Sequence, residues 1–372
     1  MRYHDTFTIR RSSVAAIVAV LLCFSSPGSA AAQAHDAGAR MDRVADGVYA
    51  IIHDRATEDW VHGNTGVIIG DDGVLVVDAT YLPSRARADI ALIRTVTDKP
   101  VRYLVLTHLH RDHSGGASAY RDAFPGVSVV SGADTRELIS INRAATARAD
   151  AASNSRLRGT LATLEARLES GTDSTGRPLT PAATTALERN VRERRVELDD
   201  LSALRVIVPD VTVRHDLDLY LGTRRVEIRN RGRAHSPDDV TVYLPAERVL
   251  FSGDLVVQAQ FLYAATSWPV EWARTLREIE ATDVAALVPG HGPVLHDLSY
   301  TRATRELVEG VCAQVAEMLR QGLTLKEIQE RVDTKRLRAA SPAWVGAEKD
   351  GDWKLSIQFL VERTWHALRG LD

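Results

Sequence analysis

The run Thr107-His-Leu-His-Arg-Asp-His-Ser-Gly-Gly116 holds three histidines and an aspartate within six residues: His108, His110, Asp112 and His113. Imidazole nitrogen and carboxylate oxygen are donors that suit Zn²⁺, and this density of them points to bound metal. In an extended segment His108 and His110 project to the same side and can grip one ion. Asp112 and His113 lie a few ångströms further on and can serve a second. Two ions at ordinary coordination need more donors than one loop offers. His235, in Gly232-Arg-Ala-His-Ser-Pro-Asp-Asp, Asp254, in Phe251-Ser-Gly-Asp, and His291, in Pro289-Gly-His-Gly, stand beside glycine or small residues and just past apolar runs. Their shared placement makes them the expected remainder of the constellation.

Elements that can carry these residues are legible from periodicity and turn chemistry. Strands are expected at 46–54, 101–106, 127–130 and 284–288, and a hairpin over 65–80 turns at Asp71-Asp72-Gly73. Further hairpins are expected over 211–229, around Leu221-Gly222-Thr223, and over 239–257, around Pro245-Ala246-Glu247. Helices are expected at 84–97, 116–123 and 270–281. Residues 143–204 repeat Leu157, Leu161, Leu164 and Leu168, then Leu187, Val191, Leu198 and Leu201, about a break at Gly171–Pro178. That reads as a helical-hairpin insertion whose stripes face each other or a neighbouring surface. Residues 298–372 read as helical, near 299–321, 324–332 and 354–369. Both halves run strands then helix, which suggests two ββα-type units packed sheet against sheet.

Taken in order, His-x-His-x-Asp-His, Gly-x-x-His-Ser-Pro-Asp-Asp, Phe-Ser-Gly-Asp and Pro-Gly-His-Gly resemble the metallo-β-lactamase superfamily over residues 46–296. The resemblance implies an α/β fold, a four-layer αββα sandwich, with a catalytic domain at about 40–297 interrupted by the 143–204 insertion and followed by the 298–372 extension. It implies two Zn²⁺ per chain, one held by His108, His110 and His235 and the other by Asp112, His113 and His291. Asp254 falls at the position of a bridging aspartate, and Asp78 matches an acidic residue that supports the ligands from behind. Two ions about 3.5–4 Å apart would lower the pKa of a shared water towards roughly 7, giving a hydroxide that attacks a carbonyl-type group in an amide, ester or thioester. Asp112 is the expected catalytic carboxylate, orienting that nucleophile.

The substrate is less legible. The stretch from Gly232 to Val256 resembles periplasmic zinc β-lactamases, yet those enzymes carry cysteine where Asp254 stands and lysine where Val257 stands. An aspartate bridge resembles lactonases and the thioesterase glyoxalase II. A non-hydrolytic iron redox or metal-binding protein on the same fold is the remaining alternative, and His110 argues against the iron variant. Trp60 and His62, before the first hairpin, and Phe261, Tyr263 and Trp268, after Asp254, are expected to line the cleft.

The remaining composition bounds partners and compartment. Arg2, Arg10 and Arg11, the apolar run Val14–Phe24 and Ala32-Gln33-Ala34 have the layout of a secretory signal peptide over 1–34, so the expected location is periplasmic or secreted. No membrane span is expected after its removal. The net charge of −3 gives no reason to expect nucleic acid, so the expected partner is a small-molecule substrate. Of two cysteines, Cys23 leaves with the signal, and Cys312 sits in an apolar helical pattern as a core thiol.

Overall fold

The computed structural model describes residues 39–53, 62–202, 204–258, 262–340 and 350–371. Seven strands form one sheet in sequence order: β1 (Ala39–Ala45), β2 (Val48–His53), β3 (Thr65–Ile69), β4 (Val74–Val77), β5 (Val101–Val105), β6 (Ser128–Gly132) and β7 (Val211–Val213). β1 to β4 pair antiparallel, and β4 to β7 run parallel. Five strands form the second sheet: β8 (Asp216–Leu221), β9 (Arg224–Gly232), β10 (Asp239–Leu244), β11 (Val249–Val257) and β12 (Ala286–His291), ordered β12-β11-β10-β9-β8.

The strands are apolar on both faces because each sheet is covered twice. In β4, Leu75 and Val77 point into the core between the sheets, with Ile68, Val105, Val242 and Phe251. Val74 and Val76 point outward, where they meet Ala86 and Ile90 of α1 (Pro83–Ile93) and Tyr120 of α3 (Ala117–Ala123). On the far side Leu250 and Leu287 meet Trp272 and Leu276 of α7 (Pro269–Glu280) and Val308 of α8 (Ser299–Arg320). Fully burying each such Leu, Ile or Phe stabilises by about 1.5–3 kcal/mol. The layers are therefore helix, sheet, sheet, helix, as expected.

The 143–204 insertion is a helical hairpin of α5 (Arg143–Ser170) and α6 (Pro181–Ser202), ordered after α2 (Arg111–Ser114) and α4 (Ala133–Ile141). Leu157 and Leu161 pack on Val191, Leu198 and Leu201, and the same cluster takes in Tyr81 and Leu82 at the start of α1. Asp200 accepts from the backbone N–H of Ser84 at 2.8 Å, docking α6 on the α1 N-terminus. The tail continues through α9 (Leu325–Arg331) and α10 (Lys335–Ala340) to α11 (Asp350–Leu368), whose Leu360 and Val361 join the α7–α8 core. Among the described residues no helix is long and apolar enough to cross a membrane.

Four departures from the sequence reading have physical causes. Residues 39–45 pair with β2 as an edge strand despite Arg40, Asp42 and Arg43, because an edge tolerates charge. The 211–229 run is not one hairpin. Val211–Val213 joins β6 in the first sheet, and the hairpin is β8–β9 turning at Gly222. Helix α4 follows β6 over residues to which the sequence reading assigns no element. Asp254 lies inside β11 instead of past a strand ending at 251, because Gly253, at φ +53°, lets the strand bend and continue.

Candidate metal centre

The centre lies where the two sheets expose the C-terminal ends of their inner strands. The loop after β5 brings His108 and His110, and α2 begins at once with Asp112 and His113. His235 follows β9, Asp254 comes from β11, and His291 is the last residue of β12. Side chains leave little room here. A Cβ on Gly253 would stand 2.6 Å from the Thr107 hydroxyl, and one on Gly290 would stand 1.9 Å from Asp254 Oδ1, so both positions require glycine.

All seven sequence-predicted donors converge into two sets that share one carboxylate. Asp254 Oδ2 faces the first set, 3.9 Å from His108 Nε2 and 3.8 Å from His235 Nε2, with His110 Nδ1 3.0 Å from His108 Nε2. Asp254 Oδ1 faces the second, 3.1 Å from His113 Nε2 and 3.4 Å from His291 Nε2. Asp112 Oδ2 completes that set, 3.1 Å from His291 Nε2 and 3.6 Å from His113 Nε2.

The outer hydrogen bonds decide which nitrogen of each ring faces inward. Thr107 donates its hydroxyl to Asp78 Oδ2 at 2.8 Å, so its oxygen accepts from His108 Nδ1 at 3.0 Å, and the His108 lone pair is at Nε2. His113 Nδ1 donates to Asp78 Oδ2 at 2.8 Å, and His291 Nδ1 donates to the His62 carbonyl at 3.1 Å. In these tautomers the Nε2 atoms of His113 and His291, 3.3 Å apart, turn lone pairs on one another, and a positive charge there, a proton or a metal ion, relieves that. Asp254 Oδ1 and His235 Nε2 are buried without a hydrogen-bond partner, as atoms kept for a metal would be. The donor chemistry and these orphaned atoms fit a pair of metal ions.

Asp78 is the hub. It accepts from the Thr107 backbone N–H at 2.8 Å as well, so one carboxylate holds a ring of each set. It stands at φ 63°, and Thr80 nearby at φ 53°, so the turn after β4 is strained where it serves the site. From the other side, Asn64 ties the end of β12, donating to the carbonyls of Pro289 at 2.9 Å and Gly292 at 2.8 Å.

Burial dominates the electrostatics of the first set. It holds the His108 pKa well below its ordinary value, lowers His110 and brings His235 to about 3, so these imidazoles are neutral and ready to donate. In the second set burial opposes charge but loses to Asp254 and Asp112. His113 is raised well above its ordinary value and His291 to about 9. The same attraction, against burial, brings Asp112 down to about 2 and holds Asp254 well below the carboxylate range.

The remaining candidates divide. His62 is buried, its ring 3.2 Å from the Thr80 hydroxyl and its pKa lowered to about 3 by burial, and it touches the centre through its carbonyl. Tyr263, 38% exposed, sets its ring edge-on to His110 at 5.5 Å. Trp268 lies further out, between the guanidinium groups of Arg233 and Arg363. Trp60 and Phe261 lie outside the described residues. Sequence reading passed over Thr107, although it opens the histidine run, and also Thr266 and Asp239. Thr266 places its hydroxyl 3.0 Å from His110 Nε2, and buried Asp239, raised by burial to about 7, lies 4.0 Å from His235 Nδ1. Nothing local in the sequence marks Thr266, whereas Asp239 closes the Gly232–Asp239 run that carries His235.

Residues 59–291 match the family model described as the metallo-beta-lactamase superfamily. The chain belongs to that superfamily. Within it, the chain is 25% identical over 277 residues to a linear primary-alkylsulfatase from Pseudomonas sp. (strain ATCC 19151), covering 72% of this chain and 49% of that protein. The chain thus spans about half the length of the curated relative it matches. A metallo-beta-lactamase from Pontibacter korlensis shares the fold at a TM-score of 0.51 and 20% identity, covering 73% of this chain and 99% of its own. The stereoselective inverting sec-alkylsulfatase Pisa1 from Pseudomonas sp. does so at a TM-score of 0.60 and 18% identity, covering 90% of this chain and 51% of its own. A match over 90% of the chain necessarily reaches into the helical tail, since residues 298–372 are about a fifth of the sequence.

Proposed function

We propose that this superfamily member is a dinuclear zinc hydrolase that opens an ester bond in a small-molecule substrate. The observation that carries the reading is Asp254, whose two oxygens face two converging donor sets. When bound, a zinc pair supplies an acidified water and a Lewis acid beside the scissile group. The chain's own residues do the rest. Asp254 fixes the spacing of the two sets. Asp112, ionised and with its side chain 23% exposed against 7% for Asp254, is the donor open to the mouth, where it can orient the attacking water. Tyr263 borders the approach on the His110 side.

The alkylsulfatase relative makes the sulfate ester of an alkyl alcohol the first substrate class to test. A second reading, a carbonyl substrate such as an amide, ester, lactone or thioester, is favoured by the aspartate at 254, which resembles the bridge of lactonases and glyoxalase II. Residues 1–34 are read as an export signal, placing the reaction in the periplasm or outside the cell.

The test is a screen of the zinc-loaded chain against an n-alkyl sulfate, a cephalosporin, an acyl-homoserine lactone and a glutathione thioester. Turnover of at least one is expected, with Asp254→Ala lowering it by about a hundred- to a thousandfold or more, the scale on which loss of a central stabilising group acts. Turnover of none, or turnover that survives Asp254→Ala, overturns the proposal.

A further inference from the structure

Three of the five histidines of the centre, His108, His113 and His291, hydrogen-bond to residues of the sandwich, but His110 leans on a segment held by the C-terminal helix. That segment, Leu262–Trp268, connects β11 to α7. It is pinned inward by the Trp268 backbone N–H, which donates to the Ala234 carbonyl at 2.7 Å, and braced within itself by the Ser267 hydroxyl, which donates to the Ala264 carbonyl at 2.7 Å. From outside, α11 grips it twice. Arg363 Nε donates to the Ser267 carbonyl at 2.8 Å, with its guanidinium 5.0 Å from the centre of the Trp268 ring. One turn earlier on the same face, Phe359 meets Tyr263 edge-on at 5.6 Å.

Between these two anchors stands Thr266. Its hydroxyl has the His235 carbonyl within reach at 3.5 Å and His110 Nε2 at 3.0 Å. With His110 Nδ1 turned towards the first donor set as a ligand, the ring proton sits at Nε2, so the Thr266 oxygen accepts it and its own proton is left for the His235 carbonyl. That hydrogen bond keeps the His110 lone pair at Nδ1, the atom turned towards His108 Nε2 and the first donor set. We propose that Thr266 is a positioning residue for His110 and that helix α11, through Phe359 and Arg363, holds it in place, so that the helical tail sets the metal affinity of the half-site formed by His108, His110, His235 and Asp254. The inference rests on the zinc reading above, but not on any substrate.

The test uses the full chain with Thr266→Val, which keeps shape and removes the hydroxyl, Thr266→Ser, which restores it, and Arg363→Met. Zinc affinity of each half-site is measured by chelator competition, and the His110 ring is followed by nitrogen NMR in the zinc-loaded chain. Thr266→Val is expected to weaken the first half-site about tenfold or more, the usual cost of losing an outer partner, and to leave the second unchanged. Thr266→Ser restores the affinity, and Arg363→Met weakens the same half-site less than Thr266→Val does. In the zinc-loaded chain the His110 Nε2–H is hydrogen-bonded in the wild type and Thr266→Ser, and Thr266→Val loses that hydrogen bond. Wild-type affinity in Thr266→Val, equal weakening of both half-sites, or an unchanged His110 ring overturns the proposal. A chain that binds zinc at both half-sites and hydrolyses nothing removes the proposed activity and leaves this inference standing.

Discussion

The two donor sets are built from the same kinds of atom and share Asp254, yet they answer different electrostatic problems. The first gathers three histidines around one carboxylate oxygen, and burial leaves all three neutral. The second sets two histidines against two carboxylates, and the carboxylates pull protons onto the rings, His291 to about 9. A metal entering the first set displaces nothing. A metal entering the second must displace protons. Placing charge, not choosing ligands, is what separates the half-sites, and a ligand inventory alone would have made them look equivalent.

The sharpest way to break this comparison is to vary pH. A group with a raised pKa is protonated below that value, so at pH 6 to 8 His291 holds a proton that metal must expel, and affinity rises as pH rises. Zinc affinity of the second half-site is expected to rise at least about tenfold per pH unit over that range, while that of the first stays flat. Chelator competition at three pH values measures both, and parallel slopes would remove the distinction.

A somewhat smaller effect probes what the sets have in common. Asp78→Asn keeps a residue that tolerates φ 63° but loses an oxygen that accepts from both Thr107 and His113. Affinity is expected to fall about ten- to a hundredfold at both half-sites together, in contrast to the one-sided loss expected of Thr266→Val. Loss at only one half-site would show that Asp78 does not couple them.

How much of this was legible in the sequence follows from how local each signal is. His108 to His113 were readable because six consecutive residues carry four donors after an apolar strand. His235, Asp254 and His291 were readable because each sits beside small residues after such a strand, although Asp254 proved to lie within β11, where Gly253 bends a strand that composition had ended. β1 was missed and Val211–Val213 was given to the wrong hairpin, because pairing partners, not their own charged or short sequences, decide where these strands belong. Asp78 came from resemblance. Asp239 stood inside the quoted His-Ser-Pro-Asp-Asp run without being singled out, and Thr266 left no trace, because its role arises from a contact with His110, 156 positions away in the chain. Tail and sandwich meet there, and periodicity describes each helix without saying what it leans on.

The account stands on Asp254 joining two metal positions, and the most direct measurement is the metal content of the purified, metal-replete chain by elemental analysis. It predicts about two zinc ions per chain, the stoichiometry of a paired site. One zinc or none, or iron in its place, would contradict it.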